Sequence, residues 1–218
     1  MATSAAAATL NGDFTVTAVN VTNLDSVESR ATMTNYDLAL LGDLGGVDNG
    51  STVSSFNYSG DLNFGTFDGT DATTIADWLA TGTDGGAGTF GTVSGLDGAF
   101  GDLQLSKPNI GNGTATTTFF LFTTVLNMVG DFIIDHDDGI AVMDDGTRIG
   151  GSNGPTSEIT TEVFGFDGGE FSLLYVATNG DPSVLRVNGD LAPIPLPATL
   201  PLLLVGMGGL AMMRRNRG

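Results

Sequence analysis

Turn-forming steps punctuate this chain. Asp-Gly, Gly-Gly and Asn-Gly pairs recur between short apolar runs rich in Val, Ile, Phe and Thr, most densely between residues 132 and 187. Glycine accepts positive φ and aspartate hydrogen-bonds its own turn backbone, so these steps reverse the chain. The runs between them carry the β-branched and aromatic residues that fit a pleated, half-buried surface. Glycine supplies 33 of the 218 residues and lysine only one, Lys107. Such a chain is confined to a mostly β fold, a single antiparallel β-sandwich with strands of about five residues and at most one or two short helices.

Individual strands are legible from their periodicity. Phe14 to Ala18 alternates apolar and polar side chains, the pattern of a half-buried strand. Residues 36–41 and 53–58 are further strand candidates. Residues 116–126 open with threonines and become strongly apolar, and their β-branched and aromatic content favours a buried strand over a helix. Asp71 is placed to cap a short helix running through Leu79, with Ile75, Trp78 and Leu79 on one face. Trp78 is the only tryptophan and reads as a core plug. Residues 81–101 are glycine-rich and read as a loop or loose hairpin.

Charge and cysteine content narrow the function. The chain has no cysteine, which excludes disulfides and thiolate metal sites. Its formal net charge is −18, and without the three arginines of the last five positions it is −21. That surface repels nucleic acid and anionic lipid, and it suits divalent cations or simple solubility. No Gly-rich run precedes a Lys-Ser or Lys-Thr pair, so there is no P-loop.

One polar cluster stands out. From Phe132 the order reads strand, turn, strand, turn, strand, with the turns at Asp137-Asp138-Gly139 and Asp144-Asp145-Gly146. Asp135, Asp137, Asp138, Asp144 and Asp145 are hard oxygen ligands close in sequence, and Ca²⁺ takes about six to eight such oxygens. The spacing is not that of an EF-hand. Two readings are open: a Ca²⁺ site, or ordinary turn aspartates. His136 is the only histidine, too few nitrogens for zinc in a chain without cysteine. A Ser-His-Asp arrangement finds no G-x-S-x-G elbow to support it. A carboxylate pair for glycoside hydrolysis is a further alternative, since any two acids can meet in a fold.

The order strand, Asp137-Asp138-Gly139, strand, Asp144-Asp145-Gly146, then a later apolar strand carrying Tyr175, resembles the later half of PA14-type β-sandwich domains. The resemblance implies a jelly-roll or PA14-like sandwich. Some PA14-type lectins hold Ca²⁺ with paired aspartates and bind a sugar through it, which implies a glycan partner here through Asp137 and Asp138.

The C-terminus has three blocks. Ile194-Pro195-Leu196-Pro197-Ala198 is extended, because proline fixes φ and lacks an N–H. Residues 200–213 carry no charge, and Arg214, Arg215 and Arg217 follow. An uncharged apolar run closed by arginines reads as a transmembrane helix with a cytoplasmic end. The three blocks in this order resemble the C-terminal sorting signal of PEP-CTERM proteins of the VPLPA variety, with Ile194 where valine is usual. Those proteins are substrates of exosortase, a membrane protease-transferase of Gram-negative bacteria that make exopolysaccharide, and many carry a unit like His136-Asp137-Asp138-Gly139. The implied partners are exosortase, an exopolysaccharide or other glycan, and the membrane through the C-terminal helix, with no nucleic acid.

The expected layout is therefore residues 1–9 as a signal-peptide remnant or disordered start, 10–191 as the exported sandwich, 192–199 as the sorting motif, 200–213 as the membrane helix and 214–218 as a basic tail. The expected role is a structural or binding component of the cell envelope or extracellular matrix, without enzymatic activity. The alternatives are a Ca²⁺-dependent carbohydrate-binding module and a glycan hydrolase. At 1.5 Å per residue the apolar run spans about 21 Å, short of a hydrocarbon core of about 30 Å, so it is a marginal anchor suited to a sorting intermediate. Surface-isolated protein should accordingly lack residues 200–218. Intact-mass measurement checks this, and a mass that retains the arginines would make the tail a permanent anchor.

Overall fold

A strand with one apolar face must bury that face against a second layer, and the order of the strands decides where the chain passes between layers. The computed structural model describes residues 8–45, 50–66, 73–82, 91–108 and 115–194. In chain order the elements are β1 (Ala8–Thr9), β2 (Asn11–Thr22), α1 (Met33–Leu41), β3 (Ser51–Asp61), β4 (Asn63–Thr66), α2 (Ile75–Leu79), β5 (Gly91–Ser94), α3 (Gly98–Gly101), β6 (Thr116–Leu126), β7 (Met128–Asp137), β8 (Gly139–Asp144), β9 (Thr147–Gly150), β10 (Ile159–Phe166), β11 (Gly169–Ala177) and β12 (Ser183–Pro193). Among the described residues they form two antiparallel sheets. One has seven strands in the order β5-β3-β2-β6-β11-β8-β9; the other has five, β1-β12-β7-β10 with β4 also on β12.

From β6 onward the chain changes sheet at almost every connection. It passes from β6 to β7 at Asn127, from β7 to β8 at Asp138, from β9 to β10 through residues 151–158, from β10 to β11 at Asp167–Gly168, and from β11 to β12 through residues 178–182. The strands are antiparallel, so these crossings gather at two poles. The β6–β7 and β10–β11 crossings share one pole. The β7–β8, β9–β10 and β11–β12 crossings share the other.

Between the sheets lies one aromatic core. Phe14, Tyr58, Phe64, Trp78, Phe120, Phe122, Phe132, Phe166, Phe171 and Tyr175 belong to it. Trp78, fully buried as a core plug, stacks on Tyr175 with ring centroids 5.2 Å apart and planes within 8°. The Phe119–Phe122 run is explained by burial on both faces. Phe120 and Phe122 point between the sheets, while Phe119 and Leu121 point to a second cluster outside the seven-stranded sheet. There α1 lays Tyr36 and Ala39 against Val19, Val21, Leu174 and Val176.

Several local expectations differ from the structure. Residues 36–41 are not a strand but part of α1. Thr32 caps that helix by accepting from the Asn35 N–H at 3.2 Å, and Gly42 ends it in the left-handed region, so capping and a docking face prevail over strand-like composition. The short helix ending at Leu79 does form, but Thr74 caps it, accepting from the Asp77 N–H at 3.1 Å; Asp71 lies outside the described residues. The described part of the glycine-rich stretch contains β5 and α3, so the described residues hold three short helices and not the expected one or two. Eight of the twelve described strands are also longer than five residues, reaching 12 in β2, which pairs along its length with β3 and over most of it with β6. No helix among the described residues is long and apolar enough to cross a membrane, and residues 200–213 lie outside them.

Phe120→Ala should cost about 3–5 kcal/mol of unfolding free energy, since it empties a fully buried aromatic site. Phe164, 62% exposed, should tolerate Ser within about 0.5 kcal/mol. Chemical denaturation of the two variants checks the assignment of core and surface; equal midpoint shifts would contradict it.

Candidate functional site

The pole that collects three crossings holds an open pocket of about 340 Å³. Its walls are Asp137 and Asp138 from the first crossing, Pro155, Thr156 and Ser157 from the second, and Thr178 to Pro182 from the third. Sequence reading treats Asp137-Asp138-Gly139 as a turn between two strands. The structure makes it a corner between sheets, with a cis peptide between the two aspartates. Gly139 is required there by close approach and not by positive φ. A Cβ on it would meet the Asn153 carbonyl oxygen at 2.4 Å. The Asp144-Asp145-Gly146 step is a true hairpin turn, with Asp145 at φ 46° and Gly146 at φ 77°, the two positive values a type I′ turn needs.

A chain leaving a sheet leaves backbone carbonyls without ladder partners, and buried carbonyls need replacements. Both aspartates find them in buried side chains. The Tyr175 hydroxyl donates to the Asp137 carbonyl, and His136 Nδ1 meets the Asp138 carbonyl. A carbonyl only accepts, so Nδ1 carries the proton, and Nε2 accepts from the Thr161 hydroxyl at 2.7 Å. Burial holds His136 below its ordinary pKa, consistent with a neutral ring. The Asp138 carboxylate accepts from the Thr178 N–H at 2.9 Å and from the Thr156 N–H at 3.1 Å, tying the three crossings together.

The two carboxyl groups adjoin in the pocket and are nearly buried, Asp137 6% and Asp138 1% exposed. Burial pushes both up, Asp137 to about 7 and Asp138 to about 8. Neighbouring carboxylates add to this: Glu158 acts on Asp137, and Asp137 acts on Asp138. A divalent cation would relieve both effects, because it replaces lost solvation and neutralises the repulsion.

The five aspartates named from sequence separate in space. Asp137 and Asp138 meet in the pocket. Asp135 belongs to the outer face of the five-stranded sheet, where it pairs with Arg186 Nε at 2.9 Å and accepts from the Thr160 hydroxyl at 2.6 Å. Burial opposes ionisation of Asp135, but the bonds from Thr160 and Arg186 outweigh it and hold the carboxyl below its usual range. Asp144 and Asp145 lie at the other end of β8, accepting from the Asp167 and Glu170 N–H groups at 2.8 and 2.9 Å, as turn aspartates do. Among the described residues no three acidic or imidazole side chains converge as a ready-made metal cage. Of the sorting motif, Ile194 lies at the opposite pole, its N–H 3.4 Å from the Asn127 carbonyl. Pro195, Leu196, Pro197, Ala198, Arg214, Arg215 and Arg217 lie outside the described residues. Thr156, Thr178, Asn179 and Asp181 escape a reading of the sequence as site residues; their only signal is the turn step Asn179-Gly180-Asp181-Pro182.

No family model matches the chain, and no curated protein matches it by sequence. Among solved structures, the fold is similar to the PA14 sugar-binding domain from an RTX adhesin, at 14% identity over 80% of this chain and 88% of that one, with a TM-score of 0.48. It is also similar to the PA14 domain of the MpAFP antifreeze protein, at 15% identity over 83% of this chain and 84% of that one, with a TM-score of 0.46.

The raised carboxyls set a sign for pH dependence. A carboxyl whose folded pKa exceeds its unfolded value stabilises the fold below the unfolded pKa and loses that contribution as pH rises through the folded one. His136 has the opposite sense, since its depressed value costs stability as pH falls below about 6.5. In EDTA the melting temperature should rise as pH falls from about 8.5 through 7 and keep rising, less steeply, below about 6.5, because the one histidine offsets only one of the two carboxyls. Changing both Asp137 and Asp138 to Asn should flatten the upper limb. An unchanged upper limb in that variant would contradict the assignment.

Proposed function

We propose that this protein is an exported surface module that binds a glycan through Ca²⁺ at the Asp137–Asp138 corner. The observation that carries the reading is the convergence of three sheet crossings on two adjoining, desolvated carboxyl groups facing an open polar pocket. The donors fit a hard cation. The Asp137 and Asp138 carboxylates would hold it, with further oxygens from Asn179, Asp181 and the backbone carbonyls of residues 178–182. Ca²⁺ takes about six to eight oxygens, more than these side chains supply, so places remain for water or for sugar hydroxyls. When bound, the cation would supply a charge-assisted anchor for a pair of hydroxyls; Ser157 and Thr156 stand on the pocket wall to orient the ring.

Placement supports a surface role. β12 starts beside the pocket and runs its 11 residues to the opposite pole, so the pocket and Ile194 are separated by about 35 Å of strand. A tail that exosortase recognises at Ile194 to Ala198 would leave the pocket facing away from the membrane, toward exopolysaccharide. The hydrolase alternative needs two carboxyls about 5 Å or more apart, with room between them for the scissile bond.

Calorimetric titration of the purified chain with Ca²⁺ should give saturable binding. At 100-fold excess over Kd the cation should stabilise the fold by about 2.7 kcal/mol. Glycan-array signals should appear with Ca²⁺, vanish in EDTA and be absent in the Asp137→Asn, Asp138→Asn variant. Polysaccharide turnover lost on either single change would instead favour the hydrolase.

A further inference from the structure

His136 is fully buried, and neither of its ring nitrogens reaches the pocket as a ligand. Nδ1 is engaged by the Asp138 carbonyl and Nε2 by the Thr161 hydroxyl. Its neighbour in the hydrogen-bond scheme, Tyr175, anchors the Asp137 carbonyl from the core, with Trp78 stacked on its ring. The carbonyls of two consecutive residues are thus gripped from different sheets. His136 belongs to β7 in the five-stranded sheet and Tyr175 to β11 in the seven-stranded sheet.

We propose that His136 is a positioning residue for the carboxyl pair: its Nδ1–H holds the Asp138 carbonyl, and that grip sets the direction in which the Asp137 and Asp138 carboxylates meet a cation. The inference rests on the cation reading given above. Its physical basis is the corner itself. Asp138 carries its carboxylate on the same residue whose carbonyl His136 holds, so releasing the carbonyl frees the residue to rotate. The two N–H donors from Thr156 and Thr178 then remain the restraint on the carboxylate, and both come from loops. Thr161 supports the tautomer that the Asp138 carbonyl selects. That carbonyl only accepts, so the ring proton sits on Nδ1, and the Thr161 hydroxyl donates to Nε2. Without that hydroxyl the ring can carry its proton on Nε2 and turn a lone pair toward the Asp138 carbonyl.

The test compares full-length wild type with His136→Asn, His136→Leu and Thr161→Val. Two quantities are read for each: melting temperature in EDTA and Ca²⁺ Kd by calorimetry. Asparagine places an amide N–H near the position of Nδ1–H; leucine fills the space without a donor. Ligand-orienting groups of this kind are worth about 10- to 100-fold in metal affinity. His136→Leu should therefore weaken Ca²⁺ by at least about 10-fold, His136→Asn should stay within about 3-fold of wild type, and Thr161→Val should fall between them. Equal Kd values for wild type and a folded His136→Leu would overturn the positioning role while leaving the cation site intact. If His136→Leu fails to melt cooperatively, His136→Asn and Thr161→Val decide. Full affinity in Thr161→Val, or an Asn variant weakened 10-fold or more, would overturn it. Absence of any Ca²⁺ heat in wild type would remove the cation reading and this inference together. Imidazole ¹⁵N chemical shifts give an independent readout: the Nδ1–H tautomer is expected in wild type, and an Nε2–H ring would contradict the inference directly.

Discussion

A sandwich whose chain keeps changing sheets must satisfy, at every crossing, the backbone groups that drop out of the ladder. At the β7–β8 crossing the Tyr175 hydroxyl donates to the Asp137 carbonyl and His136 Nδ1–H to the Asp138 carbonyl. Tyr175 reaches the corner only because its ring is wedged in the core against Trp78 and Phe120. The inter-sheet packing that stabilises the molecule also fixes the corner, so the aromatic core and the candidate site are parts of one arrangement.

The topology then assigns a different job to each end of the molecule. Connections between the two sheets place three crossings at the pocket pole and two at the pole where the described chain ends. The turn aspartates Asp144 and Asp145 finish a hairpin at the far pole, and Asp135 is neutralised by Arg186 on an open face. Of these five aspartates, only Asp137 and Asp138 are placed where burial, with Glu158 beside Asp137 and Asp137 beside Asp138, raises the carboxyl. That difference in environment, not the number of aspartates in the sequence, distinguishes a site from ordinary turns.

Much of the architecture was legible in the sequence. The alternation at Phe14 to Ala18 and the composition of residues 116–126 identified β2 and β6, and the Asp145-Gly146 step identified its hairpin. At Asp137-Asp138-Gly139 the turn was legible but the change of sheet was not, because a local motif reports that the chain bends and not which sheet it enters next. Helix α1 was missed because its composition is strand-like and the evidence for it is tertiary, a surface on β2, β6 and β11 that Tyr36 and Ala39 cover. Likewise, the pocket walls at Thr156 and Thr178 come from crossings 18 and 40 residues from Asp138 in sequence, and no spacing rule connects them to it.

The single tryptophan offers the most direct test of the central claim that Asp137 and Asp138 form a cation site. Trp78 stacks on Tyr175, whose hydroxyl holds the Asp137 carbonyl, so a luminescent lanthanide bound at the corner lies within energy-transfer reach of that ring. Excitation of Trp78 in the presence of Tb³⁺ should give sensitised terbium emission that Ca²⁺ displaces competitively and that the Asp137→Asn, Asp138→Asn variant lacks. Emission that persists undiminished in that variant, or that Ca²⁺ fails to displace, would show that the cation binds elsewhere and would contradict the account.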